Sequence, residues 1–129
     1  MKKVICILLV IITIFSGCAA EKPNTNISPK TDGIIIALLD TGISTVAIDE
    51  NRILAGYNYV ENSNDTEDKI NHGTASASVI VGSAPAKIEG LAPDAYLVPL
   101  VVRTKTEDGE QKGISAQTLA QVIIDCVDK

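Results

Sequence analysis

Two stretches of the chain are apolar at consecutive positions rather than at alternate ones. Gly33 to Leu39 (GIIIALL) and Tyr96 to Val102 (YLVPLVV) both read this way, the pattern of strands buried on both faces, as in parallel sheets. Ile53 to Val60 (ILAGYNYV) reads as a weaker strand, and Glu61 to Asn71 as a polar loop. His72 to Gly82 is rich in Ala, Ser and Val, which predicts a helix that Gly82 closes. A charged loop, Arg103 to Lys112, leads to a second helix over 114–127. There Ala116, Leu119, Ala120, Ile123 and Val127 fall on one stripe, and Ser115 is placed to cap the start. Strands alternating with helices predict an α/β domain built on a parallel sheet. No internal repeat is visible.

The N-terminus follows a different pattern. Lys2 and Lys3 precede an apolar run from Val4 to Phe15 that only Thr13 interrupts. The run is short for a membrane span and has the layout of a targeting segment. It ends in Phe15-Ser16-Gly17-Cys18, which resembles the lipobox of bacterial lipoproteins, with Phe15 in place of the usual aliphatic residue. The resemblance implies a signal peptide at 1–17, a diacylated Cys18 as the mature N-terminus, and an exported protein anchored to the outer face of the cell membrane. The alternative is an ordinary signal peptide cut near Ala19-Ala20, which is also exported. Residues 18–32, polar and carrying Pro23 and Pro29, read as a flexible tether. Residues 33–129 remain for the folded domain.

Composition narrows the partners. The 129 residues hold eleven basic and sixteen acidic side chains, a net charge of −5. Removing Lys2 and Lys3 with the leader leaves nine basic against sixteen acidic, a net of −7. That balance disfavours nucleic acid. With three Tyr, one Phe and no Trp, stacking on bases is also unsupported. Cys6 lies in the leader and Cys18 at the lipid site, so Cys126, inside VIIDCV, reads as a small buried hydrophobe.

The candidate chemistry rests on Asp40 and His72. Asp40 directly follows the first apolar strand, and in open α/β sheets functional side chains gather at the carboxyl ends of strands. Thr41-Gly42 allows a sharp turn and supplies a hydroxyl and backbone N–H groups. His72 opens a helix in which Gly73, Ala75 and Ala77 leave room for a neighbouring backbone. A carboxylate on imidazole Nδ1–H fixes the tautomer and stabilises the imidazolium formed during proton transfer. Asp40 and His72 therefore read as an orienting acid and a general base. As isolated residues they read equally well as a turn Asp and a capping or surface His.

Three motifs, in order, resemble the N-terminal part of the subtilisin family of serine proteases. Asp40-Thr41-Gly42 matches its catalytic Asp motif and His72-Gly73-Thr74 its catalytic His motif. Gly90-Leu91-Ala92-Pro93 with Ala95 and Leu97 matches the segment leading into a core strand. The chain order Asp, His, Ser belongs to that family. The resemblance implies a doubly wound parallel-sheet fold, peptide-bond hydrolysis by an Asp-His-Ser triad, and a protein or peptide substrate. It implies a site of Asp40 as orienting acid and His72 as general base, and places the loop at Asp108-Gly109-Glu110 near a substrate-pairing edge strand.

The departures shape the expectation. After His-Gly-Thr the family usually continues His-Val-Ala-Gly, where this chain has Ala75-Ser76-Ala77-Ser78. None of Ser44, Ser63, Ser76, Ser78, Ser83 or Ser115 stands in the family's Gly-Thr-Ser context. The oxyanion-hole Asn and the strand of the specificity pocket are likewise not represented. Residues 33–129 are thus expected to be a partial domain, incomplete at its C-terminus and inactive alone. Asp49 falls where some members place a calcium ligand, but segment 83–90 offers no set of oxygen ligands, so no metal or other cofactor is expected. Two alternatives stand beside this reading. ALLDTGIS also resembles the active-site segment of retroviral-type aspartic proteases, which would make Asp40 the catalytic residue of a dimer. The chain also fits a non-catalytic exported binding module.

Overall fold

The apolar run that follows Gly33 forms strand β1, Ile35–Asp40, and the second forms β3, Tyr96–Val101. A computed structural model describes residues 33–127; the leader, Cys18 and the tether lie outside the described residues. Between these strands lie a 3-10 turn at Glu50–Arg52, the two-residue strand β2, Tyr57–Asn58, and helix α1, His72–Val81. After β3 come β4, Arg103–Lys105, β5, Gln111–Gly113, and helix α2, Ala116–Val127.

β3 is central in a parallel sheet of order β1-β3-β2. Its register runs from Ile35 opposite Tyr96 to Asp40 opposite Val101. Side chains of a strand alternate between faces, and β3 divides the core that way. Leu97 packs with Ile43, Ile48 and Ala77, joined by Ile80 and Val81 of α1. Val98 and Leu100 pack instead with Val122, joined by Tyr57, Ile114 and Cys126. Each helix covers one face of the sheet, and the α/β class follows.

The expected strand over 53–60 is interrupted, and Pro99 explains the break. The N–H groups of Tyr96 and Val102 donate to Ile34 and Asp40, whereas the carbonyls of Leu97 and Val101 accept from Leu54 and Tyr59. Odd-numbered residues of β3 therefore face the β2 side, where Pro99 offers no N–H to a ladder. Gly56 packs there so closely that a Cβ would lie 2.0 Å from the Pro99 carbonyl oxygen. The segment bridges to β3 at Ile53 and re-forms a ladder only at Tyr57.

Two other expectations change. Residues 103–113 are not a loop: β4 and β5 pair antiparallel, with Arg103 opposite Gly113 and Lys105 opposite Gln111. Only Thr104 of this hairpin is buried. In α2, the buried face is set by Val122, 1% exposed, with Leu119 and Cys126 half-buried beside it. Of the expected stripe only Leu119 is on that face; Ala116, Ala120, Ile123 and Val127 are exposed. The helix is apolar around much of its circumference, so periodicity alone offers more than one stripe, and the sheet selects one. Ser115 does cap α2, its hydroxyl accepting from the Thr118 amide at 3.1 Å.

Candidate active site

Asp40 is the last residue of β1, and pairing with β3 fixes its backbone through the bond from the Val102 amide. The chain then turns at Thr41-Gly42. Gly42 has φ of 115°, and a Cβ there would meet the Thr66 carbonyl oxygen at 2.5 Å, so the turn requires glycine. The adjacent Ile43 amide donates to that same carbonyl. The polar loop holding Thr66 is organised by Asn58, 2% exposed. Its side chain accepts from the Val60 and Glu61 amides and donates to the Asp65 carbonyl.

α1 begins at His72, after Asn71 in the left-handed conformation at φ 70°. It approaches β1 at its first turn. A Cβ on Gly73 would lie 2.2 Å from the Gly42 carbonyl oxygen and 3.2 Å from Asp40 Cβ. Ala77, fully buried, continues the contact into the core. Ala75, expected to share this role, is exposed.

That approach brings the two sequence-predicted residues together. His72 Nδ1 lies 2.7 Å from Asp40 Oδ1. The same oxygen accepts from the Thr41 amide at 2.8 Å, and Oδ2 accepts from the Ser76 hydroxyl at 3.1 Å. The Asp40 side chain is 12% exposed and that of His72 63%. A carboxylate held by three donors is thus set against one nitrogen of a ring that is otherwise open to solvent. Donation from Nδ1–H to Asp40 leaves Nε2 with a lone pair, the form needed to accept a proton.

Sequence reasoning missed Asp68. It is 7% exposed and lies in the loop before α1. The Thr41 and Thr74 hydroxyls and the Ile70, Asn71 and Thr74 amides all donate to its carboxylate, at 2.7–2.9 Å. Burial pushes its pKa up, but the hydrogen bonds from Thr74, Thr41 and Ile70 together outweigh burial and hold it below the ordinary carboxylate value. The available signal was an acidic residue just ahead of a predicted helix, where free amides await acceptors. Ser76, noted in the sequence only as a departure, also proves to touch Asp40.

The site is the meeting of a strand-end Asp with a helix-start His, and a family model for the subtilase family matches residues 31–128. The chain belongs to the subtilase family. No curated protein matches it. The matched segment spans the whole of the described region, 33–127. Within this subtilase chain, Gly90 and Ala92 of the third motif also have a structural role. Gly90 packs against the end of α1, where a Cβ would lie 2.3 Å from the Gly82 nitrogen, and the Ala92 amide donates to Ile80. The motif thus seats α1 just before β3 begins.

The calcium question turns on Asp49. Its carboxylate accepts from the Asn51 amide and side chain, capping the 3-10 turn. Among the described residues, no group of three His, Cys, Asp or Glu converges to hold a metal ion. The Asp108-Gly109-Glu110 segment forms the exposed tip of the β4–β5 hairpin, with Gly109 at φ 90°.

Proposed function

We propose that this chain carries the acid–base part of a subtilisin-like serine endopeptidase, in the first part of a doubly wound sheet. The 2.7 Å contact between His72 Nδ1 and Asp40 Oδ1, with the ring otherwise exposed, is the observation that carries it. In the complete site His72 Nε2 takes the proton of a serine hydroxyl as its oxygen attacks a peptide carbonyl. The same nitrogen then protonates the departing amine, leaving an acyl-enzyme for water to hydrolyse. Asp40 holds the ring and stabilises the imidazolium between these events.

The triad also needs a nucleophilic serine. None here stands in a Gly-Thr-Ser context. The Ser76 hydroxyl beside the pair shares its one proton between Asp40 Oδ2 and the His72 carbonyl. Without such a serine, these residues are not expected to hydrolyse a peptide. The chain's leader at 1–17, lipid on Cys18 and tether at 18–32 place it, in this proposal, at the outer face of the cell membrane, where its substrates are proteins or peptides.

Fluorophosphonate labelling tests the reading, because the probe reacts only with an activated serine. The chain alone should neither label nor cleave a peptide substrate. Joined to a Gly-Thr-Ser-bearing segment encoded directly downstream, it should label, and His72→Ala should reduce hydrolysis by about five to six orders of magnitude. Hydrolysis by the chain alone, a downstream frame lacking such a segment, or activity indifferent to His72→Ala would overturn it.

A further inference from the structure

We propose that Asp68 is a positioning residue of the site, acting through Thr41 and Thr74 to hold His72 against Asp40. The inference rests on the acid–base reading of Asp40 and His72. Its starting point is that Asp68 touches neither residue, yet is bonded to the immediate neighbour of one and to the helical turn that carries the other.

The connectivity follows from the hydroxyls. A threonine hydroxyl has one proton to give. Thr41 gives its proton to Asp68 Oδ1 at 2.7 Å and accepts from the Gly73 amide at 2.9 Å. Thr74 gives its proton to Asp68 Oδ2 at 2.7 Å and accepts from the Ser44 amide at 3.0 Å. Thr41 directly follows Asp40 and Gly73 directly follows His72, so one relay ties the backbones next to both residues. The second relay ties α1 to the continuation of the same turn at Ser44. Asp68 also receives the Asn71 and Thr74 amides, at 2.8 Å each, and thereby caps α1. Asn71 itself makes no side-chain cap bond.

Both relays have one polarity. An ionised carboxylate presents only acceptors, and each of its oxygens here faces a hydroxyl and at least one amide. Asp68→Asn keeps the shape but replaces one oxygen with an NH2 donor. On that side the threonine hydroxyl loses the acceptor for its proton, and the amides bonded to the same oxygen, those of Ile70 and Asn71 or that of Thr74, face a donor. A residue that merely filled space would not require this polarity.

The chain contains one histidine, so 15N chemical shifts of the imidazole report its tautomer without ambiguity. The full chain, labelled and held in detergent micelles, is measured at a pH where the ring is neutral. The Nδ1–H tautomer is expected to dominate, and Asp40→Asn should abolish that preference. Asp68→Asn should also lose it while the β3 amides stay protected from exchange. Thr41→Val should do the same and Thr41→Ser restore it, a pair that decides the matter should Asp68→Asn not fold. Unchanged tautomer preference in folded Asp68→Asn or in Thr41→Val overturns the positioning role and leaves the Asp40–His72 reading intact. Absence of the Nδ1–H preference in the unsubstituted chain overturns both.

Discussion

Asp40 and His72 were legible because each sits beside residues that only a close approach explains. Asp40 follows an unbroken apolar strand and precedes Thr-Gly; His72 precedes Gly-Thr in a run of small residues. Asp68 was not legible in this way, because its partners are two hydroxyls and three amides drawn from both sides of the site. A one-dimensional pattern shows where a carboxylate is, but not which donors fold onto it. Its lowered pKa gives a signed expectation. A carboxylate whose folded pKa lies below its unfolded value contributes stability that is complete above the unfolded value, about 4, and disappears as pH falls through the folded one. Denaturant titrations should show the unsubstituted chain more stable than Asp68→Asn by about 3 kcal/mol near neutrality, with the gap closing in acid. A gap independent of pH would contradict the ionised, hydrogen-bonded state of Asp68.

At the scale of elements, the two long apolar strands and both helices were readable: β3 is buried on both faces, whereas β1 carries the same apolar run although Ile35 and Ala37 are exposed. The β4–β5 hairpin was not, because only Thr104 faces inward and the flanking residues are charged or polar. Its one sequence signal was Asp108-Gly109 at the turn. The face of α2 was misread for the opposite reason, an excess of apolar positions. The structure separates them sharply. Val122→Ala removes a side chain that is 1% exposed and should cost about 2 kcal/mol. Ile123→Ala, at a position 50% exposed, should change stability by no more than about 0.5 kcal/mol. Urea unfolding of the two variants decides the register of the helix, and equal costs would refute the one described.

For the whole molecule, membership of the subtilase family and an α/β sheet agree with the parallel-strand pattern. If Cys18 carries the anchor, Cys18→Ser should abolish incorporation of labelled fatty acid and move the protein from the membrane fraction to the medium. Retention of the label would refute the lipid site. The sheet also has a kinetic consequence. β1 and β3 pair residues about sixty positions apart, Ile35 with Tyr96, and α1 lies within the intervening chain. Closing so long a loop is an entropic cost that must be met before the pairing returns anything. α1 is local and free to form early, but His72 has no carboxylate to meet until β1 has found β3 and the turn after Asp40 has set. The pair that defines the site is thus among the last features to assemble. In stopped-flow refolding, any signal from His72 protonation should trail the helical signal and coincide with closure of the sheet.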